Sequence, residues 1–295
     1  HPRDIDRALE RDYSREPAQR ALQKEAVAHI EVQRMIDQGR DPQVEPAGRE
    51  VILWLHKEFC ERLPEEMLWL EDPESRKRVR IVPGKLREGM VAVGRHLPPE
   101  PENLDRFLAR FEEAYTRAGL SKIERILAVG AAHHRLLWVH PFTDGNGRVT
   151  RLMSHAMLRR LGLGSPLWSV ARGLARRVGD YRRLLEAADG PRTSDVDGRG
   201  TLSESALVDF CRFFLEVSID QVEYMTSLLE PAELLNRMRI HTEEEVGAKR
   251  LPRGSFPILR EALIAGEFPR GRAAELTGYQ DRRARMTLSA LSEKG

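Results

Sequence analysis

The segment HPFTDGNGRVTR, residues 140–151, combines a histidine, an aspartate, two glycines and two arginines that could together hold a charged ligand. Arg148 and Arg151 are three positions apart, so on a helix both guanidinium groups would lie on one face and could contact one anion. Gly145 and Gly147 would let a phosphate approach the backbone N–H groups at the helix start. The segment therefore predicts an anion site.

His140 and Asp144 add a base and a metal ligand to this prediction. A carboxylate repels phosphate, but Asp144 fits as an oxygen ligand of a Mg2+ ion that bridges two phosphate groups. A histidine has an ordinary pKa of about 6.5, so the neutral form of His140 can accept a proton from a hydroxyl. In the alternative interpretation, His140 and Phe142 face the core, Asp144 caps a helix and the arginines are solvated. The number of matched residues in so short a segment favours a site.

Two apolar helices are predicted to hold the ends of this segment. The first opens at Ser121 with Glu124 three residues later, a capping box, and ends at Pro141, which disfavours a helical conformation of His140. The second begins inside the segment and stops near Gly162. Apolar spacings of three and four support both helices. They involve Ile123, Ile126, Leu127, Gly130, His134, Leu137 and Trp138 in the first, and Val149, Leu152, Met153 and Ala156 in the second.

The rest of the chain predicts a mostly α fold, because helix formers dominate and alternating β-branched runs are nearly absent. One exception is RVRIVPGKLREGMVAVGRHLPPEP, residues 78–101, where short apolar pieces around Pro83 and Gly84 predict a small hairpin or extended flap. An ordinary interhelical loop is the alternative. Further helices are predicted near residues 18–38, 49–70, 103–118 and 203–230.

The C-terminal part predicts a helix-turn-helix, or winged-helix-like, module. Its helices are expected at Ile258–Ala265, at Arg270–Leu276 and from Asp281, with a turn at Thr277 and Gly278. Arg282, Arg283 and Arg285 could contact DNA phosphates, whereas use of the module for dimerisation would make a homodimer. The predicted divisions are an N-terminal helical region at 1–75, a core at 76–230, a connecting helix at 231–250 and the module at 251–295.

Composition favours a cytoplasmic protein without a membrane partner. Lysine and arginine number 48 against 46 acidic residues, a net charge of +2, so any basic site must be local. Cys60 and Cys211 are far apart in apolar patterns, which suits buried thiols in a reducing compartment. No run approaches the roughly 18 apolar residues of a membrane helix, and the charged start does not resemble a signal peptide.

His140-Pro141-Phe142-Thr143-Asp144-Gly145-Asn146-Gly147-Arg148, followed by Arg151, resembles the signature of the Fic/Doc family. Members of this family mostly transfer an adenylyl group from ATP to a serine, threonine or tyrosine hydroxyl of a target protein and release pyrophosphate. The resemblance implies a Fic-like helical bundle and a Mg2+-dependent protein adenylyltransferase, with ATP and a target protein as partners.

The resemblance also implies a role for each residue of the segment. His140 would deprotonate the target hydroxyl, and Phe142 would anchor the loop. Asp144 would bind Mg2+. The triphosphate would be held by Gly145, Asn146 and Gly147 around the α-phosphorus and by Arg148 and Arg151 at the β/γ end.

Two further segments are similar to parts of the family fold. GKLREGMVAVGR, residues 84–95, resembles the flap that aligns a target segment by main-chain pairing, which makes Lys85, Leu86, Arg87 and Val91 candidate positioning residues. GDYRRLLEAAD, residues 179–189, is similar to the segment that binds the nucleotide base, so Tyr181 and Asp189 are candidates for the purine pocket. Arg182 stands where many relatives have a second tyrosine.

An inhibitory role is a hypothesis for Glu31. Many relatives have a helix with Ser/Thr-x-x-x-Glu-Gly/Asn, whose glutamate pairs with the second arginine of the signature. Here Glu31 follows Ile30 as in that pattern, but Val27 and Val32 depart from it. Glu31 is therefore either a brake on Arg151 or a solvated glutamate.

The resemblance leaves other functions open. Phosphorylation, UMPylation, phosphocholination and removal of AMP also occur in this family and share the signature. A different class of function is a transcription regulator, in which the Fic-like domain senses a nucleotide and the C-terminal helix-turn-helix acts on DNA.

Overall fold

The computed structural model describes residues 2–71, 78–94, 96–164, 168–266 and 268–293. The predicted mostly α class is confirmed. The helices are α1 (Pro2–Leu9), α2 (Pro17–Asp37), α3 (Arg49–Cys60), α4 (Leu104–Tyr115), α5 (Lys122–Val139), α6 (Asn146–Arg160), α7 (Val170–Arg176), α8 (Val178–Ala188), α9 (Glu204–Leu228), α10 (Pro231–Gly247), α11 (Ser255–Ala265), α12 (Ala273–Thr277) and α13 (Asp281–Ser292). The strands are β1 (Trp69–Glu71) and β2 (Arg78–Arg80), and short 3-10 turns lie at Glu65–Leu68, Pro101–Asn103 and Arg270–Arg272.

The chain forms two compact units, one ending at Val222 and the other beginning at Glu223. In the first unit, α5 packs against α6, and α6 also packs against α2 and α3. The core between these helices is made of fully buried apolar side chains, each of which stabilises the fold by about 1.5–3 kcal/mol. They include Ile52, Leu55, Leu136, Val139, Phe142, Val149, Leu152 and Met153. The predicted functional segment therefore connects two of the most buried helices.

The local signals at the ends of α5 and α6 act as predicted. The Ser121 hydroxyl accepts from Glu124 N at 3.3 Å, and the Glu124 carboxylate accepts from Ser121 N at 2.8 Å, so the capping box is confirmed. Helix α5 ends at Val139, directly before His140 and Pro141. Helix α6 ends at Arg160, and Gly162 follows with a φ of 74°, a conformation that glycine adopts easily.

The predicted helix at 49–70 is wrong in its second half. Helix α3 ends at Cys60. Pro64 cannot donate a backbone hydrogen bond and disfavours a helical conformation of the residue before it. The chain instead turns and forms β1, which pairs antiparallel with β2 so that Trp69 lies opposite Arg80.

The predicted hairpin within residues 78–101 is also different. Strand β2 lies in this segment but pairs with β1, upstream of it. Among the described residues of this segment after β2, namely 81–94 and 96–101, strand pairing is limited to a bridge between Val93 and His96. Two backbone donors of the segment have other partners, since Gly84 N donates to a histidine ring and Arg87 N donates to a carbonyl of the functional loop. Arg95 lies outside the described residues.

The second unit contains α10 to α13, and α11, α12 and α13 pack together. The three predicted helices of the terminal module are present, with Gly278 at a φ of 65° between α12 and α13. The described residues 268–293 contain helices and turns but no strand, so a winged-helix module stays a prediction. Parts of the predicted divisions lie outside the described residues, namely 72–77, 165–167, 267 and 294–295. No helix among the described residues is long and apolar enough to cross a bilayer.

Candidate active site

Two left-handed residues and internal hydrogen bonds fix the backbone of the loop between α5 and α6. His140 ends α5 in the left-handed region, with φ 49° and ψ 60°, and Gly145 precedes α6 with φ 83°. Between them Phe142 is completely buried. The side-chain amide of Asn146 accepts from Phe142 N at 2.9 Å and donates to Phe142 O at 2.7 Å. Since its side chain is occupied inside the loop, Asn146 can offer a phosphate its backbone N–H.

His140 is arranged as a neutral base. Its Nδ1 lies 3.2 Å from Leu137 O, so Nδ1–H donates to this carbonyl and Nε2 keeps a free lone pair. Burial lowers the pKa of His140 below its usual value, and the charge of Arg87 acts in the same direction. The ring is therefore unprotonated near pH 7, the form that a general base needs.

The positive side of the site is the start of α6. The first backbone N–H groups of a helix have no partner within it, and the helix dipole adds a partial positive charge there. Arg148 pairs with the carboxylate of Glu25, on α2, and lies 3.7 Å from Asp144 Oδ1. Arg148 is thus shared between two carboxylates and is not free for an anion in this state.

A magnesium ion would have one protein ligand here. The part of the chain that the structure describes has no cluster of three or more His, Cys, Asp or Glu side chains that could hold a metal ion. Asp144 keeps 46% of its side chain exposed beside Arg148. Mg2+ commonly binds one or two carboxylates together with substrate phosphates and water, so a single exposed carboxylate next to a phosphate site fits this ion.

Arg151 lies beside a directional chain of buried hydrogen bonds. Its guanidinium faces the Tyr181 hydroxyl, which lies 2.8 Å from His133 Nε2. His133 Nδ1 lies 2.8 Å from the Ser154 hydroxyl, and this hydroxyl donates to Thr150 O at 2.9 Å. Because the Ser154 proton is used on that carbonyl, His133 carries its proton on Nδ1 and accepts from Tyr181 at Nε2. The Arg151 guanidinium therefore faces a neutral hydroxyl whose own proton is used on His133.

The two residues assigned to the purine pocket have internal partners. Tyr181 is 9% exposed, and its hydroxyl faces Arg151, at the phosphate end of the site. Asp189 Oδ1 lies 2.9 Å from Nε2 of the buried His134. Their assignment to base recognition stays a prediction.

Helix α2 supplies an acidic partner for the site, but not the predicted one. Glu31 lies 3.4 Å from the guanidinium of Arg62 and does not pair with Arg151, so the predicted contact is wrong. Glu25 makes the contact instead, and its partner is the first arginine of the segment, Arg148. The reason is helical geometry, since residues six positions apart are separated by about 120° around a helix, so Glu25 and Glu31 lie on different faces of α2.

The flap residues separate into exposed and buried positions. Lys85 is 55% exposed and pairs with Glu88 at 2.6 Å, while Leu86 and Val91 are half-buried. Arg87 is 3% exposed, so its side chain does not face solvent, and its predicted role in positioning a target stays a prediction. Its Nε donates to His140 O at 2.8 Å, so this side chain faces the loop of the candidate site.

Sequence reasoning missed three residues of the site. Glu25 is three positions before Ala28, the first of the buried residues that recur every four positions on α2, and this spacing could have revealed it. His56 lies on the buried face of α3 and looks like an ordinary core histidine. His133 is next to His134, and nothing local indicates that its partners are far along the chain.

Comparisons with known proteins agree with this geometry. Residues 46–158 match the model of the Fic/DOC family. The chain therefore contains a Fic/DOC domain, and the resemblance of residues 140–151 is confirmed. A protein adenylyltransferase Fic from Drosophila erecta is 38% identical over 79 residues, as is that of Drosophila melanogaster. This match spans 27% of the chain and only 16% of either relative.

Solved structures share the fold at low sequence identity. A Fic family protein from Desulfovibrio desulfuricans superposes with a TM-score of 0.53 and 19% identity, covering 77% of this chain and 59% of that one. A Fic domain containing signaling protein from Bacteroides thetaiotaomicron gives 0.52 and 18%, covering 75% of this chain and 78% of that one. At such identities the likeness establishes the fold.

Proposed function

We propose that this protein transfers AMP from ATP to a hydroxyl side chain of a target protein and releases pyrophosphate. The observation that carries the proposal is the loop itself, which places a neutral histidine at one end and two arginines at a helix start at the other. In-line attack on the α-phosphorus needs a base and a leaving pyrophosphate on opposite sides of that atom. The naming of relatives as protein adenylyltransferases supports the same reaction.

His140 would act on the target hydroxyl through Nε2. Its Nδ1–H is held by Leu137 O, which orients the ring and leaves Nε2 to accept the proton. The proton moves from the hydroxyl to Nε2 as the oxygen bonds to the α-phosphorus and the bond to pyrophosphate breaks. Because burial lowers the pKa of His140, transfer should persist below the usual imidazole pKa and fall once pH passes the lowered value.

The start of α6 would bind the triphosphate. Backbone N–H groups of Asn146 and Gly147 would meet the phosphate oxygens, and the Arg148 and Arg151 guanidinium groups would neutralise the β/γ end. Asp144 would hold Mg2+, and the ion when bound supplies charge neutralisation of the phosphates.

The flap would present the target. Its described residues after Gly84 form no regular strand and are mostly exposed, with the apolar side chains of Met90, Val93 and Leu97 open to solvent. A target segment that adds along such a backbone gains main-chain hydrogen bonds, and apolar contacts select its side chains.

Glu25 would compete with ATP for Arg148. Its carboxylate occupies the guanidinium that the proposal assigns to the triphosphate, so binding of ATP requires the ion pair to open. This contact replaces the predicted brake by Glu31, and a wild-type protein would have a reduced ATP affinity because of it.

Labelled ATP tests the reaction directly. The full chain is incubated with cell lysate, Mg2+ and ATP labelled at either the α- or the γ-phosphate. Beyond the labelling that the lysate gives without this protein, we expect labelled proteins with the α-label only, and none with His140→Ala. Labelling from γ alone would identify phosphorylation and refute AMP transfer.

A second candidate function, DNA binding, is favoured by α13. Arg282, Arg283 and Arg285 are exposed at its start, and Ala284 and Thr287 are buried on its other face. Arginines on the exposed face of the last helix of a helix-turn-helix suit phosphate contacts. Fluorescence anisotropy with duplex DNA should show binding that weakens with salt and is lost in an Arg282→Ala, Arg285→Ala variant. Equal binding by this variant would refute the assignment.

A further inference from the structure

His56, on α3, connects the flap to the loop of the candidate site. Its Nδ1 accepts from Gly84 N at 2.9 Å, and its Nε2 lies 3.2 Å from Asp144 O. A backbone N–H can only donate, so Nδ1 is unprotonated and Nε2–H donates to the Asp144 carbonyl. One neutral ring thus joins the first residue of the flap to the end of the loop.

The same ring also packs against the loop. It stacks on Phe142 with the ring centroids 3.9 Å apart and an angle of 3° between the planes. A Cβ at Gly145 would lie 3.4 Å from His56 Cδ2, so the backbone passes directly over the ring. His56 is fully buried, and burial lowers its pKa to about 4, which keeps it neutral. The contacts leave His56 no room for another orientation.

Arg87 connects the flap to the other end of the loop. Its guanidinium donates to His140 O at 2.8 Å, to Gly89 O at 3.0 Å and to Pro99 O, and its backbone N donates to Pro141 O at 3.0 Å. A non-glycine residue in the left-handed region costs roughly 1–3 kcal/mol. The hydrogen bond from Arg87 Nε to His140 O offsets part of this cost and holds His140 in the left-handed conformation.

We propose that His56 and Arg87 are positioning residues, which fix the distance between a target segment on the flap and Nε2 of His140. The two side chains attach both ends of residues 140–144 to the flap at Gly84 and Arg87. Flap and base therefore move together. This inference deepens the proposed function and rests on it. Because catalysis depends on alignment to within about 1 Å, loss of either connection should lower the rate of transfer.

Kinetics distinguish positioning from simple stabilisation. For His56→Asn and Arg87→Lys we expect kcat for AMP transfer to fall roughly thirtyfold, with KM for ATP within about twofold of wild type, because the triphosphate contacts lie on α6. Arg110→Lys, an exposed arginine of α4, should leave both constants unchanged. Variants that melt at lower temperature but keep kcat would overturn the inference.

Hydrogen exchange tests the connections without any reliance on activity. In His56→Asn the amide oxygen can replace Nδ1, so protection of the Gly84 amide should persist while exchange in residues 142–145, before the amides that would bind the triphosphate, rises at least tenfold. In His56→Gln the amide nitrogen can replace Nε2, so the opposite pattern is expected. Unchanged exchange in both variants would refute the inference. If the wild type transfers nothing while the two variants show these opposite exchange patterns, the proposed function alone is refuted.

Discussion

The two ends of residues 140–151 are held in different ways. At the histidine end, Arg87 and the neutral ring of His56 bind backbone groups of the loop. At the arginine end, Arg148 is held by the carboxylate of Glu25. Contacts to backbone groups do not compete with a phosphate, whereas a carboxylate does. In the proposed reaction the histidine end would need no rearrangement, whereas the arginine end would have to exchange Glu25 for a phosphate.

Acid should remove the stability that the neutral His56 ring contributes at the histidine end. The folded pKa of His56 is about 4, below the unfolded value of 6.5, so the unfolded state binds more protons between these pH values. This stability is fully present above pH 6.5 and is lost as pH falls through 4, by about 3 kcal/mol. Urea unfolding of wild type and His56→Asn, above pH 6.5 and at pH 4, measures this loss of unfolding free energy. An equal pH dependence in the two proteins would contradict the assignment.

Removal of Arg148 should affect the arginine end alone. Loss of a charge-assisted hydrogen bond of about 2 kcal/mol would weaken ATP binding by Arg148→Ala roughly thirtyfold. Hydrogen exchange at the backbone amides of His140 and Arg87 should not change. Calorimetry provides the affinity, with Arg110→Ala as the control. Unchanged ATP affinity would remove Arg148 from the site.

Removal of the Glu25 carboxylate should change ATP binding at the arginine end and leave the histidine end as it is. Glu25→Gln leaves Arg148 free, so we expect ATP to bind roughly tenfold more tightly by calorimetry. Glu31→Gln is the matched control on the same helix and should bind ATP like wild type. If Glu31→Gln tightened binding and Glu25→Gln did not, the contact seen here would not be the inhibitory one.

The smallest effect is expected at Arg151. Tyr181→Phe removes one hydroxyl from the chain between Arg151 and His133 and should cost about 1 kcal/mol of unfolding free energy. ATP affinity should fall no more than a few-fold, because the charge of Arg151 remains. Chemical denaturation measures the first effect. A variant as stable as wild type would show that the chain does not hold Arg151.

The sequence predicts what depends on local spacing. The capping box at Ser121, the end of α5 before Pro141 and the opening of α6 inside the loop all follow from neighbouring residues. The family follows from the loop, whose residues are contiguous. These features need no knowledge of distant parts of the chain.

The contacts that complete the site could not be predicted in this way. Glu25 meets Arg148 across 123 positions of sequence, and Arg87 meets His140 across 53. Which side of α2 faces the arginines depends on how that helix packs on α6. The alternating apolar pieces of the flap predict strand pairing within it. In the structure, the backbone N–H groups of Gly84 and Arg87 instead donate to His56 Nδ1 and Pro141 O.

Mass spectrometry of lysate proteins after incubation with Glu25→Gln, ATP and Mg2+ is the decisive measurement for AMP transfer. We expect adenylyl groups on serine, threonine or tyrosine side chains, and none when the same protein also carries His140→Ala. Equal modification by the double variant, or modification by phosphoryl groups alone, would contradict it.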